Sequence, residues 1–202
     1  MKRTLLALTA GALIITGCSS NEEPDMQEQA TQTPAATSDA SAATTTQETA
    51  ADKQNATIGE EARSVGIAIT VHGVTEQPTI TVNDSGYTGE FAEYTERPAR
   101  SNGKFVVVDT TVLNDGLKPI DITCAGPIQN TLTTEDQRQY STVDEQYNIQ
   151  GNPGCNDMLQ PGFDAPMKFV YEVPTSAVPR AFGFADRENS YDKPTYIELV
   201  AE

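Results

Sequence analysis

Histidine occurs once in these 202 residues, as His72, and cysteine only three times. A zinc or copper site of the usual kind needs several His or Cys ligands, so the composition excludes one. Nucleophilic catalysis is equally short of parts. A histidine base needs a serine or cysteine partner, and no G-x-S-x-G elbow occurs. His72 reads instead as a surface or strand-end residue. Basic residues are scarce, with 13 Lys and Arg against 29 Asp and Glu and a formal charge of −16. Nucleic acid and anionic headgroups both demand basic patches, so neither is expected as a direct electrostatic partner. No glycine loop of the phosphate-cradling type is present. No apolar run reaches the ~20 residues of a membrane-spanning helix.

What the chain does have begins at its start. Lys2-Arg3 precedes an apolar stretch from Leu5 to Ile15, and Thr16-Gly17-Cys18 closes it. A positive start, a short apolar segment and small residues at the cut are the parts of a secretory signal. With a cysteine at the cut, the arrangement resembles a bacterial lipoprotein signal and lipobox. That resemblance implies a signal peptide over residues 1–17 and lipidation of Cys18. A diacylglyceryl group supplies two chains, enough for stable anchoring where one would be marginal. The expected location is the membrane, facing the extracytoplasmic side. In a cell with two membranes, Ser19 after Cys18 favours the outer one.

With Cys18 assigned to lipid, Cys124 and Cys155 remain. A lone pair in an oxidising compartment reads as one disulfide. Closing a loop of that length is worth roughly 3–4 kcal/mol by the chain-entropy estimate. A redox pair is the alternative, but no C-x-x-C occurs.

Residues 18–63 are dominated by Ala, Thr, Ser, Gln, Glu and Asp. Such a stretch buries too little apolar surface to offset chain entropy, and is expected to be a disordered stalk. A flexible chain of this length spans roughly 35–40 Å. From Ser64 to Glu202 the texture changes. Val65, Ile67, Ile69 and Val71 alternate with small or polar residues, the period-two mark of a strand. Further strands are expected at Phe105 to Leu113, Ile120 to Thr123, Ile128 to Thr133, Met167 to Val173, Ala181 to Ala185 and Thr195 to Val200. Gly89 to Arg97 suits a helical turn or an irregular strand. Asn102-Gly103, Asn114-Asp115-Gly116 and Pro161-Gly162 mark turns, the first a type I′ hairpin turn. Seven or eight short strands argue for an all-β sandwich over residues 64–202.

Two segments carry a resemblance. Gly103-Lys104-Phe105-Val106-Val107-Val108-Asp109 runs into Asn114-Asp115-Gly116. Leu159-Gln160-Pro161-Gly162 precedes Phe169-Val170-Tyr171-Glu172-Val173-Pro174. Both resemble segments of a family of uncharacterised domains on bacterial lipoproteins, related to a secreted mycobacterial immunoprotective antigen. The resemblance implies an immunoglobulin-like β-sandwich and no established activity.

Tyr87, Tyr94, Tyr140, Tyr147 and Tyr191 fall in or beside loop-like stretches, and tyrosines are good interface anchors. Tyr140 and Tyr147 lie within the span that Cys124 and Cys155 would close, which makes them the candidate interaction residues. The expected role is therefore a lipid-anchored binding or interaction module, without catalysis of its own and without a cofactor. Its ligand would be a protein or another envelope component. An envelope spacer or shield is the alternative. A small extracellular enzyme, or a Ca²⁺ site drawing on Glu90, Glu93, Glu96, Asp109, Asp115 or Asp121, comes last. Replacing the anchor residue, Cys18→Ser, is expected to move the chain from the membrane fraction to the soluble one. The intact mass of the parent chain should carry the acyl chains at a Cys18 N-terminus, and a mature chain starting elsewhere without lipid would refute the address.

Overall fold

The first described strand begins at Asn55, nine residues before the expected boundary at Ser64. The computed structural model describes residues 55–87, 89–124, 126, 128–187 and 193–199. The signal peptide, Cys18, most of the stalk and Tyr191 lie outside the described residues. Two short strands account for the earlier start: β1 (Asn55–Thr57) and β2 (Glu61–Ser64). Their apolar anchors are only Ala56 and Ala62, both buried in the main core. Alanine gives no strand pattern, so composition hid them. Backbone pairing with neighbouring strands holds them in place.

The remaining strands are β3 (Ile67–Gln77), β4 (Thr79–Asn83), β5 (Tyr94–Pro98), β6 (Gly103–Asn114), β7 (Ile120–Asp121), β8 (Ile128–Thr134), β9 (Gln139–Tyr140), β10 (Met158–Leu159), β11 (Asp164–Pro174), β12 (Pro179–Asp186) and β13 (Thr195–Glu198). Thirteen strands thus stand among the described residues where seven or eight were expected. The additional ones are short, or in β4 and β5 form a separate ribbon. Gly89–Phe91 and Gln146–Asn148 are single 3₁₀ turns. Gly89 to Arg97 therefore contains both alternatives, a helical turn and then β5. Among the described residues, no helix is long and apolar enough to cross a membrane.

Two sheets form the β-sandwich. One has the order β11-β6-β3-β2, the other β1-β13-β12-β8-β9, with β4-β5 and β10-β7 as two-stranded ribbons. Alternate residues of both sheets meet in the core, as the pleat requires. Met167, Phe169, Tyr171 and Val173 of β11 join Val106 and Val108 of β6 and Ile69 and Val71 of β3. Leu132, Phe182, Phe184 and Ile197 come from the other sheet. The Phe169 and Phe182 rings lie 5.0 Å apart, a tilted aromatic contact between the layers. The Tyr171 hydroxyl, fully buried, donates to Asn130 Oδ1 at 2.7 Å.

The three-valine run of β6 is explained by a second layer. Phe105, Val107 and Val170 point away from the main core and pack with Ile80 and Val82 of β4 and with Ile149. Covering both faces of a strand permits a continuous apolar run in place of alternation. His72 sits in the middle of β3, not at its end. The β3–β6 register shifts between Val71 and Gly73, so His72 is the extra residue of a bulge. Its ring is exposed, and Nε2 lies 2.7 Å from Thr111 Oγ1.

Turn chemistry is partly as expected. Pro161-Gly162 forms a tight turn with Gly162 at φ 78° and Phe163 N–H donating to Gln160 O at 3.1 Å. That is a type II geometry, with Pro and Gly at the positions that favour it. Asn102-Gly103 is not a type I′ turn. Only Asn102 has positive φ, at 63°, and β5 and β6 are not paired. The strands on either side belong to different sheets, so no hairpin twist needs to be matched.

Asn114, at the end of β6, is fully buried. Its Nδ2 donates to Lys118 O and Leu159 O, both at 2.8 Å, and Oδ1 accepts Gly116 N–H at 3.0 Å. The side chain thus joins the loop after β6 to β10. Asn114→Ala would leave these groups without their partner, and an unsatisfied buried group costs about 1–3 kcal/mol. A loss of roughly 3 kcal/mol or more is expected in urea denaturation. A loss well under about 1 kcal/mol would show that Asn114 does not tie the loops together.

Candidate functional site

The disulfide joins Cys124 to Cys155, with Cα atoms 5.2 Å apart and a sequence separation of 31. Beside it stands Asp121, only 6% exposed. Asp121 Oδ1 accepts the N–H groups of Thr123 and Cys124 at 2.9 and 2.8 Å and the Thr123 hydroxyl at 3.1 Å. Oδ2 accepts Asn156 N–H at 2.8 Å. One carboxylate therefore binds both limbs of the cross-link. The β7–β10 ribbon continues the same junction, with Met158 opposite Asp121. Burial opposes ionisation of Asp121. The N–H groups of Cys124, Thr123 and Asn156, with the Thr123 hydroxyl, overcome that and hold its pKa below the ordinary carboxylate value.

Asp121, Cys124 and Cys155 also bring three metal-ligand side chains within 4.8 Å of one another. Both sulfurs are already bonded to each other, so neither offers a thiolate, and four donors occupy the carboxylate. Two of the other acidic residues considered for Ca²⁺ are engaged separately. Asp115 pairs with Arg63 at 2.6 Å, and Glu96 accepts the Thr81 hydroxyl at 2.8 Å.

The span closed by the disulfide covers the free edge of β11. Val143 N–H donates to Val170 O at 2.8 Å, and Val170 N–H donates to Gln146 Oε1 at 3.2 Å. Asn152 meets both backbone groups of Lys168, accepting its N–H at 2.7 Å and donating to its carbonyl at 3.0 Å. Side-chain amides thus replace a neighbouring strand and block edge-to-edge pairing. Tyr147 lies in the 3₁₀ turn of this cover and is half-buried. Tyr140 lies in β9 opposite Leu132, half-buried and packed against the main core. The most exposed aromatics lie elsewhere, with Phe91 at 76% and Tyr87 at 67% in the loop between β4 and β5, and Phe163 at 67% in the turn before β11. Neither Phe91 nor Phe163 is among the candidate interaction residues expected from the sequence.

A groove of about 400 Å³ lies on the outer face of the second sheet, lined by Gln129, Thr131, Tyr140, Gly183, Pro194 and Tyr196 among others. Thr131, Gly183 and Tyr196 are opposite one another in register across β8, β12 and β13. The Tyr196 ring lies against Gly183, where a Cβ would come within 2.8 Å of ring carbon Cε1. Glycine there is what lets the ring lie flat on the sheet. The lining is mostly polar, and the buried Gln129 Oε1 has no hydrogen-bond partner among the described residues.

These features define a β-sandwich: two packed sheets, a cross-linked loop and a polar groove. The chain belongs to the family described as a domain of unknown function, DUF4352, whose model matches residues 56–193. That match begins at β1 and agrees with the earlier domain start. No curated protein matches the chain in sequence. Among solved structures, it is similar to an uncharacterised β-sandwich protein from Clostridium difficile 630, with 15% identity, 72% of this chain and 93% of that chain covered, and a TM-score of 0.47. It is also similar to the yjhA protein from Bacillus subtilis, with 16% identity, 72% and 99% coverage and a TM-score of 0.46. A conserved hypothetical protein from Bacillus anthracis gives 13% identity, 71% and 95% coverage and a TM-score of 0.45.

Because the folded pKa of Asp121 is depressed, its stabilisation is complete above the unfolded value of about 3.9 and is lost as pH falls through the folded value. Asp121→Asn is expected to lower the urea midpoint at pH 7, with the deficit against the parent chain shrinking below about pH 4. An equal deficit at pH 7 and pH 3 would remove the carboxylate charge from this role. Reduction of Cys124–Cys155 should cost roughly 3–4 kcal/mol in the same assay.

Proposed function

We propose that this chain is a lipid-anchored, extracytoplasmic binding module, held by lipid on Cys18 and performing no catalysis of its own. The observation that carries the binding role is the groove beside Tyr196, with Gln129 Oε1 buried and unpartnered in a mostly polar lining. A buried acceptor without a donor is costly, and a ligand that supplies the donor relieves that cost. The ligand is accordingly polar, a hydrogen-bond donor presented by an envelope protein or polymer. A volume near 400 Å³ falls in the range of ordinary ligand sites. The rigidity of the sheet favours recognition over shape change.

The anchoring part of the reading is supported by the residues of the N-terminal segment, from Lys2-Arg3 to Cys18. The absence of catalysis is supported by His72, whose ring meets a threonine hydroxyl on an exposed sheet face, and by two cysteines spent on a cross-link. Kinship with the mycobacterial antigen family belongs to the same proposal. It rests on the Gly103-Lys104-Phe105 and Leu159-Gln160-Pro161-Gly162 segments.

Gln129→Ala tests the groove directly. No hydrogen bond inside the protein depends on Oε1, so the melting temperature should stay within a few degrees of the parent. Capture of the envelope ligand by crosslinking on intact cells should fall about tenfold, the value of one or two hydrogen bonds. Unchanged capture with unchanged stability would place recognition outside this groove.

A further inference from the structure

One end of the sandwich gathers apolar loop tips that no core accounts for. Val65, at the tip of the β2–β3 hairpin, is 58% exposed. Leu117, in the loop after β6, is 97% exposed, and Phe163, in the turn before β11, is 67% exposed. Singly exposed apolar residues are ordinary, but several converging on one end mark an interaction surface. Their convergence is fixed by hydrogen bonds around Asn114. Asn114 N–H donates to Phe163 O at 3.0 Å, and Asp115 N–H donates to Gly66 O at 3.0 Å. Asn114 Nδ2 holds Lys118 O, the residue after Leu117. The three tips therefore share one rigid base. At the opposite end, where Pro179 pairs with Thr134, Val178 is the large apolar residue exposed, at 44%.

The chain also enters the domain at the apolar end. Asn55 pairs with Tyr196, and the adjacent Thr195 hydroxyl donates to Arg63 O at 2.9 Å, two residues before Val65. Only residues 19–54 separate this entry point from Cys18.

From these two observations we infer that the end bearing Val65, Leu117 and Phe163 docks on the lipid bilayer that carries the anchor. The inference rests on the lipid-anchored reading of Cys18 and adds an orientation to it. Tethering turns docking into an intramolecular event, so an insertion too weak to recruit a free protein suffices here. Small apolar tips that enter the headgroup and acyl boundary suit that role. The acidic charge of the chain does not prevent it, because the contact is apolar. Locally, Glu61 and Asp115 both pair with Arg63 at 2.6 Å. Lys118 follows Leu117 and can keep its ammonium at headgroup level while its stem lies on lipid. Docking by this end would turn the β8–β9 hairpin and Val178 away from the membrane.

The chain contains no tryptophan, so a single introduced one reports its own surroundings. The test uses the full lipidated chain in phosphatidylcholine vesicles whose acyl chains are brominated, with Leu117→Trp or Phe163→Trp, and Val178→Trp as the opposite-end control. Leu117 is almost wholly exposed, so its replacement does not disturb the fold. Tryptophan at 117 or 163 is expected to shift to shorter wavelength and lose most of its emission to the bromines, while tryptophan at 178 stays solvent-like. Equal, weak quenching at both ends of vesicle-bound chain would overturn the docking and leave the anchor intact. A blue shift at 117 without bromine quenching would assign the surface to a protein partner instead, and also overturn it. Chain that carries no acyl mass and does not float with vesicles would refute the anchored reading, and the docking with it.

Discussion

The fold depends on β6 being enclosed from every side. Long strands pair along both of its edges, β11 from Asp164 to Pro174 and β3 from Ile67 to Gln77. Its two faces are covered as well, one by the main core and the other by the β4–β5 ribbon and Ile149. A strand so enclosed must satisfy all its backbone groups by pairing, and this fixes the register of its neighbours. The few polar side chains on it then acquire specific work. The buried Thr110 hydroxyl donates to Met167 O at 2.7 Å, linking β6 to β11 a second time. Asn114 closes the strand by binding the loop after β6 and the segment from Leu159 to Phe163, while the Asp115 N–H holds Gly66 O; these segments present Leu117, Phe163 and Val65.

The neighbour of β6 creates the next requirement. β11 has a partner along one edge only, and its other edge would be a template for aggregation. The excursion between β9 and β10 covers it through Val143, Gln146 and Asn152. A cover built of turns and side-chain amides has little core of its own, so it needs fastening. The disulfide and Asp121 do this at the point where the excursion returns. The cysteines, the aspartate and the amides of Gln146 and Asn152 form one device, and their shared purpose is the sheet edge. With the edge closed, the outer face of the second sheet is free to carry the Tyr196 groove.

Much of the sandwich was legible in the sequence because large apolar residues declare their faces. Ile67, Ile69 and Val71, or Met167, Phe169, Tyr171 and Val173, alternate as the pleat demands, and all are buried in the main core. The strands that escaped notice lack that mark. β1 and β2 bury one alanine each, and β9 and β10 have two residues apiece. β4 does alternate, through Ile80 and Val82, but its partner layer is the outer face of β6, which the chain alone does not announce. The candidate site was less legible still. Tyr140 does line the groove, yet Gln129, Gly183 and Tyr196 lie on three different strands, and their proximity is a matter of register.

The sequence by itself determined the short apolar start, the acidity, the scarcity of cysteine and the period-two texture, because each is written in residue type and local spacing. Only the tertiary structure decided which strand is enclosed, which edge needs covering, and which side chains meet. These depend on pairing between segments distant in the chain, such as Thr195 with Arg63 or Asp121 with Asn156. Local sequence sets what a segment can bury. Long-range register, fixed by backbone groups that must all be paired in the core, sets what it is buried against.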